Sequence, residues 1–255
     1  MSGFASEHPG ADVRVSPNFG PRVGGQRPSM ILLHYTGMES AHAAEERLCD
    51  PTSEVSAHYL VHEDGRIVQM VREADRAWHA GASSWKGVSD INSCSIGIEI
   101  VNPGHGLGYP GFTEPQMAAT IELCRGIRTR HAIACERVLG HSDVAPGRKI
   151  DPGEKFDWAR LAAHGLGHFV EPYPLTGGKI FKRGDEGRTV QEMQSMLSIF
   201  GYGIEISGVY DRQTETVVAA FQRHFRPARI DGRADVSTRR TLRRLLETLP
   251  REASA

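Results

Sequence analysis

Met30-Ile31-Leu32-Leu33-His34-Tyr35-Thr36-Gly37 is the stretch on which the fold turns. Four apolar residues in a row, with no polar alternation, predict a short strand covered on both faces. The run stops at His34, which therefore stands at a strand's end. Ser95-Ile96-Gly97-Ile98-Glu99-Ile100-Val101 reads as a second strand, with Glu99 on the face opposite Ile98 and Ile100. Val138-Leu139-Gly140-His141 is a third, again closing on a histidine. Between the first two lie Ala57-His58-Tyr59-Leu60-Val61-His62 and Ile67-Val68-Gln69-Met70-Val71, joined through Asp64-Gly65, a strong hairpin signal.

Helical patterns alternate with these strands. Residues 40–48 are rich in Ala and Glu and stop before Pro51. Thr113-Glu114-Pro115-Gln116 is a capping box with proline in the first turn, and it opens a helix with Met117, Thr120, Ile121, Cys124 and Ile127 on one face. Asp157 caps a last short helix through about residue 163. The expectation is an α/β domain, a mixed central sheet flanked by helices, over residues 29–168. Residues 1–28, with five glycines and four prolines, read as an extended arm laid on the surface.

Beyond residue 168 the texture changes. Glu171-Pro172-Tyr173-Pro174 and Gly177-Gly178 mark a linker over 169–179. Over 180–250, Gly208-x-x-Asp211-x-x-Thr214 recurs as Gly232-x-x-Asp235-x-x-Thr238. Each copy leads into an apolar helical pattern: Val217, Val218, Phe221, Phe225, then Leu242, Leu245, Leu246, Leu249. A preceding helix carries Val190, Met193 and Leu197. This predicts a small all-α three-helix domain with its own core, separable from the rest, with Asp211 and Asp235 as N-caps.

Composition excludes several classes. The 255 residues carry 30 Lys+Arg against 31 Asp+Glu, so the basic excess of a nucleic-acid binder is missing. The longest apolar run is far below the roughly 20 residues of a membrane span. Cys49, Cys94, Cys124 and Cys135 show no CxxC spacing and read as thiols rather than disulfides. No basic-then-apolar leader is read in the opening residues. Cytoplasmic residence is then the default, with periplasm or cell envelope if the chain is exported, and monomer is the default state.

Among 12 histidines, His8, His105, His164, His168 and His224 read as ordinary structural residues. His34 and His141 differ because strand tips point into the cleft beyond a sheet. Asp151 follows His141 in a polar loop. Two imidazoles and one carboxylate, with a fourth position open, suit a catalytic zinc site; on spacing alone, unrelated loop polar groups explain them equally well.

The blocks ILLHYTGM (31–38), SAHYLVHEDGRIVQMV (56–71), AWHAG (77–81), SIGIEIVNPG (95–104) and GHSDVAPGRKIDPG (140–153) resemble, in order and spacing, the zinc-dependent N-acetylmuramoyl-L-alanine amidases of the type 2 amidase family. The resemblance implies Zn²⁺ ligands at His34, His141 and Asp151, a catalytic acid at Glu99 and a catalytic lysine at Lys149. It leaves Arg148, the rival cation, a solvated role. It also places Trp78 and His79 beside the substrate groove, against a reading in which Trp78 is packed and His79 is merely hydrogen-bonded. His58 and Tyr59 are assigned to structure or to support of the ligands. Residues from Lys182 to Gly232 resemble the peptidoglycan-binding domains of cell-wall hydrolases, against a plain helical packing domain.

The chemistry asks for these residue types. Amide hydrolysis needs one group to take a proton from water and return it to the leaving amine, and a carboxylate near a metal does both. The oxyanion needs positive charge, which Lys149 supplies. The implied activity is cleavage between the lactyl group of N-acetylmuramic acid and L-alanine, in peptidoglycan or muropeptides. Two alternatives stand: a recognition protein that binds peptidoglycan without cutting it, and a zinc peptidase acting on the stem peptide.

Overall fold

The computed structural model describes residues 4–250. Its chain order begins with β1 (Asp12–Val13), β2 (Phe19–Gly20), β3 (Met30–Tyr35), α1 (Ala41–Cys49), β4 (Tyr59–Val61), β5 (Ile67–Gln69) and β6 (Arg76–Ala77). It continues through α2 (Ile91–Cys94), β7 (Ser95–Ile100), α3 (Glu114–His131), β8 (Val138–Gly140), α4 (His141–Val144) and α5 (Trp158–Ala163). Helices α6 (Arg188–Phe200), α7 (Arg212–Phe225) and α8 (Val236–Glu247) complete it. Six strands form one sheet in the order β1-β5-β4-β7-β3-β8, while β2 pairs with β6 apart from it. Only β4 and β5, the predicted hairpin, run antiparallel within the six-stranded sheet.

The unbroken apolar run becomes the sheet's interior because both faces are covered. Ile31, Leu33, Ile96, Ile98 and Ile100 pack against Met117, Ile121, Cys124 and Ile127 of α3 and Leu161 of α5. Thr113 accepts from the Gln116 N–H (3.2 Å) and the Gln116 side chain accepts from the Thr113 N–H (3.0 Å), so the predicted capping box closes. The opposite face carries Met30, Leu32 and Leu60. There α1 covers Leu60 and Val68 with Ala44 and Leu48, and Met30, Leu32 and Leu139 share one apolar cluster with residues of the three C-terminal helices.

That last contact departs from the sequence reading. The helical region does not keep a core to itself. Val190, Leu197, Val218, Phe221, Phe225 and Leu245 join Met30, Leu32, Trp85 and Leu139 in one continuous apolar cluster. Trp85, 1% exposed, lies edge-on to Phe200 and Tyr202 of the helical region. Gly201 permits this approach, since a Cβ there would fall 2.3 Å from the indole. The segment between the two regions is pinned too: the Tyr173 N–H donates to the Thr241 hydroxyl at 2.9 Å.

The arm also departs from expectation. It is extended, but Arg22 runs inward to 7% exposure and donates to the carbonyls of Glu73, Asn92, Ser93 and Ser95. A buried guanidinium is tolerated because its fork of donors is satisfied by backbone acceptors. All four cysteines are free thiols, two of them buried. No helix among the described residues is long and apolar enough to cross a membrane.

Candidate metal centre and active site

Register brings the first two site residues together. β3 and β7 are parallel, with His34 opposite Glu99 and Leu32 opposite Gly97. Register partners on adjacent strands project to the same face, so His34 and Glu99 stand side by side at the sheet's carboxyl edge. β8 lies on the other side of β3 and ends at Gly140. His141 is therefore the first residue of α4, one position past the strand tip expected for it. The Ser142 N–H donates to the Asp151 carbonyl at 2.9 Å, which ties the loop carrying the third residue to that short helix.

The three ligating atoms converge. His34 Nδ1 and His141 Nδ1 are 2.9 Å apart, and each is 3.0 Å from Asp151 Oδ2. All three residues are buried. Three donors each about 2.0–2.1 Å from one tetrahedral ion lie roughly 3.3 Å apart, so this near-equilateral face fits a small divalent metal. The N₂O donor set suits it as well.

The far nitrogens determine how the rings present themselves. Ser95 donates its hydroxyl proton to the Ile91 carbonyl (2.6 Å), so toward His79 Nε2 (3.3 Å) it accepts. His79 then carries its proton on Nε2 and accepts at Nδ1 from His34 Nε2, 3.1 Å away. That leaves His34 Nδ1 unprotonated and aimed at the metal position. His141 Nε2 donates to the Ala80 carbonyl at 2.9 Å, which frees its Nδ1 in the same way. Asn92 Oδ1 accepts from the backbone N–H groups of both His79 and Ala80, so one side chain holds the segment that orients both rings. Such outer partners fix tautomer and ring angle in metal sites.

Electrostatics agree with a neutral His34. Burial, with the neighbouring His141 charge, lowers His34 to about 4. His79 is held well below its ordinary value by burial and by the surrounding imidazoles. Burial alone would raise Asp151, but charge and hydrogen bonding from His141 and His34 outweigh it and keep the carboxylate ionised. Glu99 moves the other way. Burial and then the Asp151 charge push it well above the usual carboxylate range, with the Lys149 cation opposing. Glu99 Oε2 is buried with no hydrogen-bond partner among the described residues, and Glu99 borders the same cavity as the three ligands.

His34, Trp78, His79, Glu99, His141, Lys149 and Asp151 all border one cavity of about 350 Å³. Both ring nitrogens of His79, however, are taken by the chain itself. His58 accepts from the Gly97 N–H (2.9 Å) and donates to the Asp75 carbonyl (3.1 Å), which makes it a strut between strand and loop. Arg148 is not simply solvated: it donates to the carbonyls of Ala80 and Ala82, clamping the 148–151 loop to the segment that orients the histidines.

Sequence reasoning missed Gly97 and Asn92. A Cβ at Gly97 would lie 2.5–2.6 Å from the His79 ring, so the glycine is what lets that ring seat on the sheet. A glycine inside a strand pattern is the signal that marks a close approach.

Comparison with known proteins agrees with this geometry. Residues 24–154 match the family model described as N-acetylmuramoyl-L-alanine amidase, and residues 186–242 match that of a peptidoglycan binding domain. The chain is 35% identical over 235 residues to N-acetylmuramoyl-L-alanine amidase AmiD of Escherichia coli, covering 87% of this chain and 83% of that protein. The structure of E. coli AmiD in complex with anhydro-N-acetylmuramic acid-L-Ala-D-gamma-Glu-L-Lys superposes with a TM-score of 0.74 at 33% identity, over 92% of this chain and 93% of that one. AmpDh3 from Pseudomonas aeruginosa, in complex with an anhydromuramic pentapeptide, gives 0.72 at 30% identity, over 93% and 96%.

Proposed function

The chain belongs to the N-acetylmuramoyl-L-alanine amidase family, and from that premise we propose that His34, His141 and Asp151 hold one Zn²⁺ with which the enzyme cuts anhydro-muropeptides between the lactyl group and L-alanine. The observation that carries the metal reading is the triangle of Nδ1, Nδ1 and Oδ2 atoms with 2.9–3.0 Å edges, beside a carboxylate that has a free buried oxygen. A Zn²⁺ held there supplies Lewis acidity, bringing the pKa of water toward about 7 and polarising a carbonyl.

The chain's own residues do the rest. Glu99, raised by burial, is suited to taking the proton of the attacking water and returning it to the leaving amine. Lys149 borders the same cavity and offers a cation to the developing oxyanion. Trp78 borders the cavity where sugar or peptide would lie. His79 acts on His34 rather than on substrate, since both its nitrogens are engaged. We assign catalysis to residues 29–168, wall binding to 180–250 and the connection to 169–179.

Metal analysis beside a mass-spectrometric turnover assay tests this reading. His34→Ala is expected to lose the metal and the activity together. Purified wild-type protein that turns over an anhydro-muropeptide at full rate after exhaustive chelation would overturn it.

A further inference from the structure

We propose that the helical region is a positioning element of the metal site as well as a wall-binding one, and that it acts through Asp143. The inference rests on the reading that His141 and Asp151 are ligands.

Helix α4 sets both of them. His141 is its first residue, and the Ser142 N–H holds the Asp151 backbone. A turn this short has little rigidity of its own, so its orientation depends on what anchors it. Asp143, fully buried, is the anchor. Its Oδ2 accepts from the Gly140 N–H at 2.8 Å, closing the turn. Its other two donors come from the helical region: the Tyr202 hydroxyl at 2.8 Å and His224 Nδ1 at 2.7 Å. A buried carboxylate without such donors is costly, so the turn stays where Tyr202 and His224 can reach it.

The two donors are themselves held across the seam. The His224 ring stacks on Trp158 of α5 with centroids 3.7 Å apart, and Tyr202 meets Trp85 edge-on at 5.0 Å. The Lys86 N–H donates to the Gly201 carbonyl at 2.8 Å. Gly147, in the loop between the two ligands, sits so close to Thr216 of α7 that a Cβ would fall 2.5 Å from its methyl. Neither Tyr202 nor His224 borders the cavity. Whatever they do for hydrolysis they do through α4.

The test uses full-length protein. Zinc affinity is measured by chelator competition, and kcat and KM on a small soluble anhydro-muropeptide. Tyr202→Phe with His224→Phe keeps both rings and removes both donors. Tyr210→Phe removes a buried hydroxyl bonded to the Gly232 carbonyl in the same helical region, away from Asp143. The double variant is expected to lose roughly 10–100-fold in zinc affinity, with kcat falling and KM within about twofold, as for loss of outer partners of a ligand. Tyr210→Phe is expected to leave all three at wild-type values. Should the double variant not fold, Tyr202→Phe alone decides, with a smaller loss in the same direction. Zinc affinity and kcat within about twofold of wild type in the folded donor variants, or an equal loss in Tyr210→Phe, overturns the inference. Wild-type protein that binds no zinc overturns the ligand reading and this inference with it.

Discussion

His34 and Glu99 are register partners on adjacent parallel strands, so the backbone hydrogen bonding of the sheet itself sets a metal ligand next to a proton carrier. Because that placement belongs to the strands, either side chain can be changed without moving the other. Glu99→Gln is expected to keep stoichiometric metal and lose about 10²–10⁴-fold in kcat. His34→Ala is expected to lose the metal. Atomic-absorption metal content alongside turnover separates the two, and a Glu99→Gln enzyme at wild-type rate would remove Glu99 from the mechanism.

The seat of His79 gives a second expectation. Gly97→Ala puts a methyl 2.5 Å from the His79 ring. The ring must shift, and its bond to His34 Nε2 shifts with it. The substitution is expected to cost about 1–3 kcal/mol in urea unfolding, as overpacking does, and to weaken metal binding. Gly106→Ala, with nothing within 4 Å, is the control; equal behaviour of the two variants would count against the His79 relay.

How much of this was legible beforehand depends on the range of the interaction. The capping box at Thr113 and the caps at Asp211 and Asp235 are local, and each appears where its residues predict it, whereas strand ends shift by a residue or so. His34 and His141 stand out by position, whereas Asp151 is marked only by following His141 in a polar loop, and the family resemblance selects it over unrelated loop groups. Asn92 and Asp143 were silent, and the strand glycine Gly97 signalled a close approach without saying to what. Their partners lie far away in sequence, at His79 and in α7, and no periodicity reports a contact of that kind. Arg22 misled for the same reason: within a stretch rich in Gly and Pro, nothing local marks a side chain that will meet four buried carbonyls.

Acid should expose the buried imidazoles. Burial, then the Arg22 charge, lowers His58 to about 3 from its ordinary 6.5. Between those values the unfolded chain binds a proton that the folded chain refuses, so His58 makes stability fall as pH falls through that window. Its slope is at most about 1.4 kcal/mol per pH unit. Metal-free wild type and His58→Gln, compared by urea midpoint at pH 7 and pH 5, isolate this contribution because the other groups are common to both. The variant is expected to lose less stability between the two pH values; identical losses would refute the assignment.

The continuous apolar cluster predicts how the protein melts. Leu245 is fully buried in α8, yet it shares a cluster with Met30 and Leu32 of the sheet. Leu245→Ala is expected to cost about 2–5 kcal/mol and to lower a single calorimetric transition rather than split off a minor one. Two resolved transitions in the wild type would show that the regions melt independently. For the same reason, cutting the chain near residue 175 would uncover Trp85 and is expected to damage the hydrolase, contrary to the separable module anticipated from sequence.

An enzyme moored by a slack tether sweeps a volume and cuts wherever its cleft happens to meet substrate. Here Trp85 lies buried beneath the helices and Tyr173 is fastened to α8, so the distance from the moored face to the cleft is a constant of the molecule. Such a protein works like a caliper. On the proposed reading, a helical face held on peptidoglycan would keep the cleft at one set distance from its anchor.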